Sequence, residues 1–464
     1  MSDELDRAAA GCLLPGFAGV DPPAWVTRWI ERGLGGVVLF ARNIEGPEQA
    51  SSLTDALRRE RETVLVATDE EGGDVTRLEC ADGSSYPGNW ALGVVDDVAL
   101  TAAVARAIAD DLAAVGINLD FAPVADVNSN PDNPVIGIRA FGADAELVSR
   151  HVAAFIPAMQ ERRVAACAKH FPGHGDTSQD SHLELPVAAG SPNEALAPFR
   201  AAIQAGVKSV MTAHVRVPAL DDEQATLSPQ IMRELLREEL GFSGVAITDA
   251  LEMKAVSATV GVEEGAIRAL SAGADLLCLG ADVEERFVSR VHEAVVGAVR
   301  GGRLPEARLR EAAGRVAELG SWASPSPGEA GSREPGAEAA RRAIRVEGDV
   351  EARGPAVVVE LRPPPSMAAG EAHHGLGDVL RVDSVSLSKA PADLDGLVDG
   401  RTPIVVVRDA HRHAWERNLV DALVEKTPAT IVVEIGLPVW RPRGPAAYIA
   451  THGAGRANLA AAAE

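Results

Sequence analysis

A chain of 464 residues is too long for one ordinary hydrophobic core and points to two domains, or to one large barrel with a companion. Its 46% hydrophobic and 24% charged residues suit a folded globular protein and exclude general disorder. The 67 acidic residues outnumber the 44 basic ones, and the net charge of -23 repels phosphate backbones and anionic lipid, which argues against nucleic-acid and membrane partners.

In chain order, short Val-, Ile- and Leu-rich runs recur at 12–15, 36–40, 64–69, 117–122, 164–170, 208–214, 244–249 and 274–279. Continuous apolar strands alternating with helical segments predict a parallel sheet covered on both faces, and eight such units predict a (β/α)8 TIM-type barrel, with an open doubly wound sheet as the alternative. Among the helices, 97–115 has an Ala-rich apolar face, and 228–240 opens with Ser228 as a cap and Pro229 in the first turn. Residues 321–337 turn to Ser, Pro, Gly and Glu without periodicity and read as a linker that ends a barrel of residues 1–320. Strand-like runs at 356–361, 404–407 and 431–435 then predict a smaller α/β sandwich domain over 338–464.

The four cysteines Cys12, Cys80, Cys167 and Cys278 have no paired spacing and read as free thiols in a reducing, cytoplasmic compartment. The opening Met-Ser-Asp-Glu lacks the basic start and apolar core of an export signal, and no apolar run reaches the ~18 residues of a membrane span.

The densest chemistry lies in KHFPGHGDTSQDSH, residues 169–182, which holds three histidines and two aspartates. Pro172, Gly173 and Gly175 forbid a regular helix, so this stretch reads as a loop leaving a strand. His170 and His174 stand four apart, but without a helix that spacing does not align two metal ligands, and the His-x-His common at the first strand of metal-dependent barrel hydrolases is absent; no metal and no cofactor are expected. His174 and Asp176 read as loop braces.

Polar side chains fall at the C-terminal ends of predicted strands: Asp69 on the third, Lys169 and His170 on the fifth, His214 on the sixth, Asp249 on the seventh. That rim of a parallel barrel faces substrate, so these groups should converge on one pocket. Asp249 reads either as a helix cap or as a carboxylate nucleophile for a sugar's anomeric carbon. Asp180 and His182, separated by one residue, either stabilise a turn or form a dyad in which the carboxylate orients a proton-transferring imidazole. After Gly72 and Gly73, Arg77 can brace its loop or a ligand, while Arg139 can reach the same rim or form a surface ion pair.

These strings, KHFPGHGDTSQDSHLELP with ATDEEGGDVTRL, NPVIGIRAFG and GVAITDALEM, resemble family 3 glycoside hydrolases of the β-N-acetylglucosaminidase (β-hexosaminidase) type over roughly the first 320 residues. The resemblance implies a retaining glycosidase acting on a small carbohydrate, with Asp249 as nucleophile, His182 as acid/base paired with Asp180, and Asp69, Arg77, Arg139, Lys169 and His170 on a terminal N-acetylglucosamine. It implies a role in peptidoglycan recycling or chitin degradation, and leaves the leaving group and the oligomeric state open. Alternatives are an N-acetylglucosaminide phosphorylase, a β-glucosidase, a metal-dependent barrel hydrolase, or a silent sugar-binding protein. Two positions depart from the family pattern: Asp74 stands where Arg is frequent, and Ile138 where an acid is usual. The end of the chain, near His452 and Arg456, resembles how second domains of the family close; either side chain can approach substrate or serve structure.

Overall fold

A computed structural model of the protein describes residues 2–180, 184–326, 328–350, 354–364, 374–391 and 393–464. Eight parallel strands form the first sheet: β1 (Leu13–Pro15), β2 (Gly36–Val38), β3 (Leu65–Thr68), β4 (Leu119–Asp120), β5 (Ala165–Phe171), β6 (Ser209–Thr212), β7 (Val245–Thr248) and β8 (Leu277–Gly280). Ladders join β2 through β7 in sequence order, a parallel bridge from Ile247 to Leu276 adds β8, and β8 pairs with β1. The Gly35 amide donates to the Ala10 carbonyl at 3.0 Å where β1 meets β2, so the strands curve round into the barrel expected from the eight apolar runs.

The runs are continuous because each strand is buried on both faces. Leu65, Ala67, Cys167, Met211, Val245 and Ile247 fill the barrel interior, while Val64, Val66, Ala166, Ala168, Val210 and Ala246 pack outward against helices. The Ala-rich helix read at 97–115 spans Val98–Ala114 and is capped by Asp97, whose carboxylate accepts the Ala99 and Leu100 amides. At the barrel floor the helix Glu306–Trp322 inserts Val316 and Leu319 into the interior core. Beside it, the fully buried Asp275 pairs with Arg237, Arg308 and Arg315. The functional end is therefore the opposite rim.

The second domain is built on a six-stranded sheet: β9 (Arg345–Gly348), β10 (Ala356–Leu361), β11 (Ser384–Leu387), β12 (Thr402–Val407), β13 (Ile431–Glu434) and β14 (Ala447–Ala450). Its order is β9-β14-β13-β12-β10-β11, parallel except for the β9 edge. Separate apolar clusters cover its two faces, which makes a three-layer α/β sandwich. The helix Glu334–Ala343 begins inside the stretch read as linker and packs on the barrel helices Asn89–Val95 and Val98–Ala114. Just before it, Arg333 binds Asp111 and Tyr86, so the connection is pinned to the barrel. Arg456 to Glu79 at 2.9 Å and His411 to the Pro131 carbonyl at 2.8 Å tie the two domains further.

Candidate active site

A pocket of about 240 Å³ opens at the C-terminal rim of the barrel, lined among others by Asp69, Arg77, Arg139, Lys169, His170 and Asp249. Six of the eight residues singled out from the sequence thus meet in one place. Of the other two, Asp180 lines an adjoining cavity, and His182 lies outside the described residues.

Strand ends place these groups. Inward alternation along β5 carries Ala165, Cys167 and then Lys169 into the barrel; a register irregularity between Lys169 and Phe171 lets the next residue, His170, reach the pocket as well. Lys169, 1% exposed, holds its Nζ 2.7 Å from Asp69 Oδ1 and 2.7 Å from Glu71 Oε1. Arg139 grips Glu71 with a two-point fork, Nη2 to Oε1 at 2.7 Å and Nε to Oε2 at 3.0 Å, and Arg77 stands 3.5 Å from Asp69. Three cations and two carboxylates form one network, in which Asp69 keeps the most access to solvent, at 18% of its side chain.

Burial raises the proton affinity of Glu71, but Arg139 and Lys169 outweigh it and bring the carboxyl down to about 2. Asp69 is likewise pushed up by burial and pulled below the ordinary range by Lys169 and Arg77. Lys169, disfavoured as a cation by burial, is raised by Asp69 and Glu71. At neutral pH the network is fully charged, with ammonium and guanidinium donors beside carboxylate acceptors, a combination that suits sugar hydroxyls. Beneath it, burial drives Asp120 well above the carboxylate range and Glu70 to about 7. Glu70 accepts the Arg77 and Leu78 amides at 2.8 and 3.0 Å and so shapes the Arg77 loop.

On the other wall, His170 Nδ1 lies 2.7 Å from Asp126 Oδ2, which fixes the ring and leaves Nε2 toward the pocket. Asp126 also accepts the His174 amide at 2.7 Å. Burial raises this carboxyl, and His170 more than reverses the effect. His174 is buried with its Nδ1 2.7 Å from Thr177 Oγ1; burial lowers its pKa to about 4, so the ring is neutral at neutral pH. It lines the pocket as well as bracing the loop.

Asp249 follows β7 and accepts the Ala250 amide at 2.7 Å on one oxygen. The helix-cap reading does not hold for it, because the next helix, Lys254–Ser257, has Met253 at its cap. His214 is fully buried between Thr226 and the Ala250 carbonyl, supporting the Asp249 loop from outside the pocket. His452 bonds the Ala343 carbonyl at 3.0 Å, and Arg456 bonds Glu79 and Ser85, so both serve structure. The Asp74 side chain is 3% exposed and ion-paired with Arg408, which comes from the second domain. Glu71 and Asp126 escaped the sequence reading. One sits unremarked among three consecutive acids, and the other lies in an apolar run just past a predicted strand. Among the described residues no group of three or more His, Cys, Asp or Glu is arranged to hold a metal, and no helix is long and apolar enough to cross a membrane.

A parallel barrel with strand-end carboxylates and a charged network around one rim pocket has the form of a sugar-processing site. Residues 23–319 match the glycosyl hydrolase family 3 N-terminal domain, and the chain belongs to that family. It is 35% identical to beta-hexosaminidase A of Pseudoalteromonas piscicida over 317 residues, which covers 62% of this chain and about half (53%) of that protein. It is also 35% identical over 318 residues to the beta-hexosaminidase of Stenotrophomonas maltophilia strain K279a, covering 66% of this chain and 92% of that one. Among solved structures, a family 3 beta-N-acetylglucosaminidase from Paenibacillus sp. FPU-7 superposes with a TM-score of 0.89 at 32% identity, over 99% of this chain and 95% of that one. A beta-glucoside phosphorylase at 19% identity, with a TM-score of 0.81 over 99% and 90% of the two chains, shares the fold.

Proposed function

We propose that the protein is a retaining β-N-acetylglucosaminidase that removes terminal, non-reducing β-linked N-acetylglucosamine, in peptidoglycan or chitin-fragment turnover. The observation that carries this reading is the meeting of Asp249 with the Asp69–Lys169–Glu71–Arg139 network and the His170–Asp126 pair around one small pocket. Relatives named beta-hexosaminidase and the Paenibacillus beta-N-acetylglucosaminidase support the same assignment.

In this scheme Asp69, Arg77, Arg139, Lys169 and His170 hold the sugar by its hydroxyls and acetamido group. Asp249 attacks the anomeric carbon as the bond to the leaving oxygen breaks, and His182, oriented by Asp180, gives that oxygen its proton. His182 then takes a proton from water, whose oxygen bonds the anomeric carbon and frees Asp249. The uncharged His174 keeps a further cation away from the oxocarbenium-like transition state. We place the reaction in the cytoplasm, on the support of four free cysteines, three of them buried.

Release of 4-nitrophenol from its β-N-acetylglucosaminide and β-glucoside, with and without phosphate, tests the assignment. The acetamido sugar should be strongly preferred, and Asp249→Ala should lower kcat by at least about a thousandfold. Preference for the glucoside would overturn the substrate, and a phosphate-dependent rate yielding the sugar 1-phosphate would overturn hydrolysis.

A further inference from the structure

The barrel pocket has two unlike halves. The ends of β3, β4 and β5 and their loops carry the charged network, whereas the ends of β2, β7 and β8 bring Phe40, Asp249, Glu252, Met253, Cys278 and Ala281. In this second half Glu252 is a carboxylate that the scheme above does not use. Its backbone is fixed on both sides: the Leu251 amide donates to the Cys278 carbonyl at 2.9 Å, and the Glu252 carbonyl accepts the Ser257 hydroxyl at 2.8 Å. Leu251 and Met253, its neighbours in sequence, are buried.

The side chain turns back over the end of β8, where Glu252 Oε1 accepts the Ala281 amide at 3.1 Å. Its carboxylate fills the place that a side chain on Gly280 would take, and Gly280 has a φ of +105°. Glycine at that position therefore makes room for the carboxylate as well as for the turn. Burial, Glu252 and Asp249 together raise the Cys278 thiol, so both carboxylates stand near one residue of the pocket wall. In the glycosidase scheme Asp249 reaches the anomeric carbon. Glu252 follows Asp249 by three residues on the same side of the pocket, so it faces the ring carbon next to the anomeric one. In an N-acetylglucosaminide that carbon bears the acetamido group. Its N–H needs an acceptor and its methyl suits apolar surface; Glu252 supplies the first, and Phe40, Met253 and Cys278 supply the second. A hydroxyl at this carbon would use the acceptor and leave the apolar surface uncovered.

Resting on the glycosidase reading, we propose that Glu252 is a specificity-determining residue whose carboxylate accepts the N–H of the sugar's 2-acetamido group, and that Gly280 lets it stand there by lacking a side chain. The β7–β8 side of the rim then selects the amino sugar, while the charged network takes the ring hydroxyls and the acetamido carbonyl.

The probes are the 4-nitrophenyl β-glycosides of N-acetylglucosamine and of 2-deoxyglucose, which has no donor at that carbon, with the full-length wild type, Glu252→Ala and Glu252→Gln. Hydrogen bonds at this carbon strengthen in the transition state, so the loss should fall on kcat/KM. Glu252→Ala should lower kcat/KM about tenfold more for the acetamido sugar than for the deoxy sugar, and Glu252→Gln, which keeps the shape and one acceptor oxygen, should recover part. Equal losses on both sugars, or an acetamido value like wild type in Glu252→Ala, would overturn the role of Glu252. Should Glu252→Ala fail to fold, Glu252→Gln decides: a loss about threefold greater for the acetamido sugar supports the contact, and equal values for the two sugars overturn it. A wild type active on neither sugar would overturn the glycosidase reading itself, and this role with it.

Discussion

Glu71→Gln removes one negative charge from between two buried cations while preserving the size of the side chain. Glu71 is 2% exposed, faces Arg139 and Lys169 at 2.7 Å each, and has its pKa drawn from 4.5 to about 2. A carboxyl whose folded pKa is depressed contributes stability above its unfolded pKa and loses it as pH falls through the folded one. With 1.36 kcal/mol per pH unit, Glu71 contributes about 3 kcal/mol at neutral pH and about 1 kcal/mol at pH 3. Breaking a buried ion pair from one side costs about 3–5 kcal/mol, an independent figure of the same size. Urea unfolding of wild type and Glu71→Gln, followed from pH 7 down to pH 3, should show a gap of that order at neutral pH that narrows on acidification. Equal midpoints at pH 7, or a gap that stays constant to pH 3, would refute the linkage between this carboxylate and its two cations.

Asp126→Asn removes the charge that orients His170, and kcat/KM should fall about tenfold or more; a rate like wild type would deny His170 a part in binding. Asp74→Asn and Arg408→Gln should each destabilise by about 3 kcal/mol in thermal or urea unfolding, and the double variant should cost less than the two together, as coupled neighbours do. Additive losses would show that the interdomain ion pair contributes nothing of its own.

The barrel was legible because helices cover its sheet on both sides, leaving each strand as an unbroken apolar run bounded by turns. The same signal exposed β10, β12 and β13. It failed for the edges of the second sheet, where β9 is solvent-exposed throughout and β11 nearly so, and both carry charged or small polar residues; it also missed the interior β14, whose buried Ala-Tyr-Ile-Ala is short and half alanine. Asp69, Lys169, His170 and Asp249 were legible because a charged group closing an apolar strand is costly unless it is used. Glu71 and Asp126 gave no such signal, since their value comes from partners 68 and 44 positions away. Arg408 meets Asp74 across 334 positions and a domain boundary, a pairing that no local pattern carries.

Whether Asp249 forms the bond to the sugar is decided by trapping that bond. A ring-fluorinated N-acetylglucosaminyl donor slows release of the glycosyl-enzyme, and peptide mapping by mass spectrometry then locates the adduct. The mass of one sugar is expected on the peptide carrying Asp249, in wild type and not in Asp249→Ala. An adduct on another residue, or no adduct together with an α-configured first product, would contradict it.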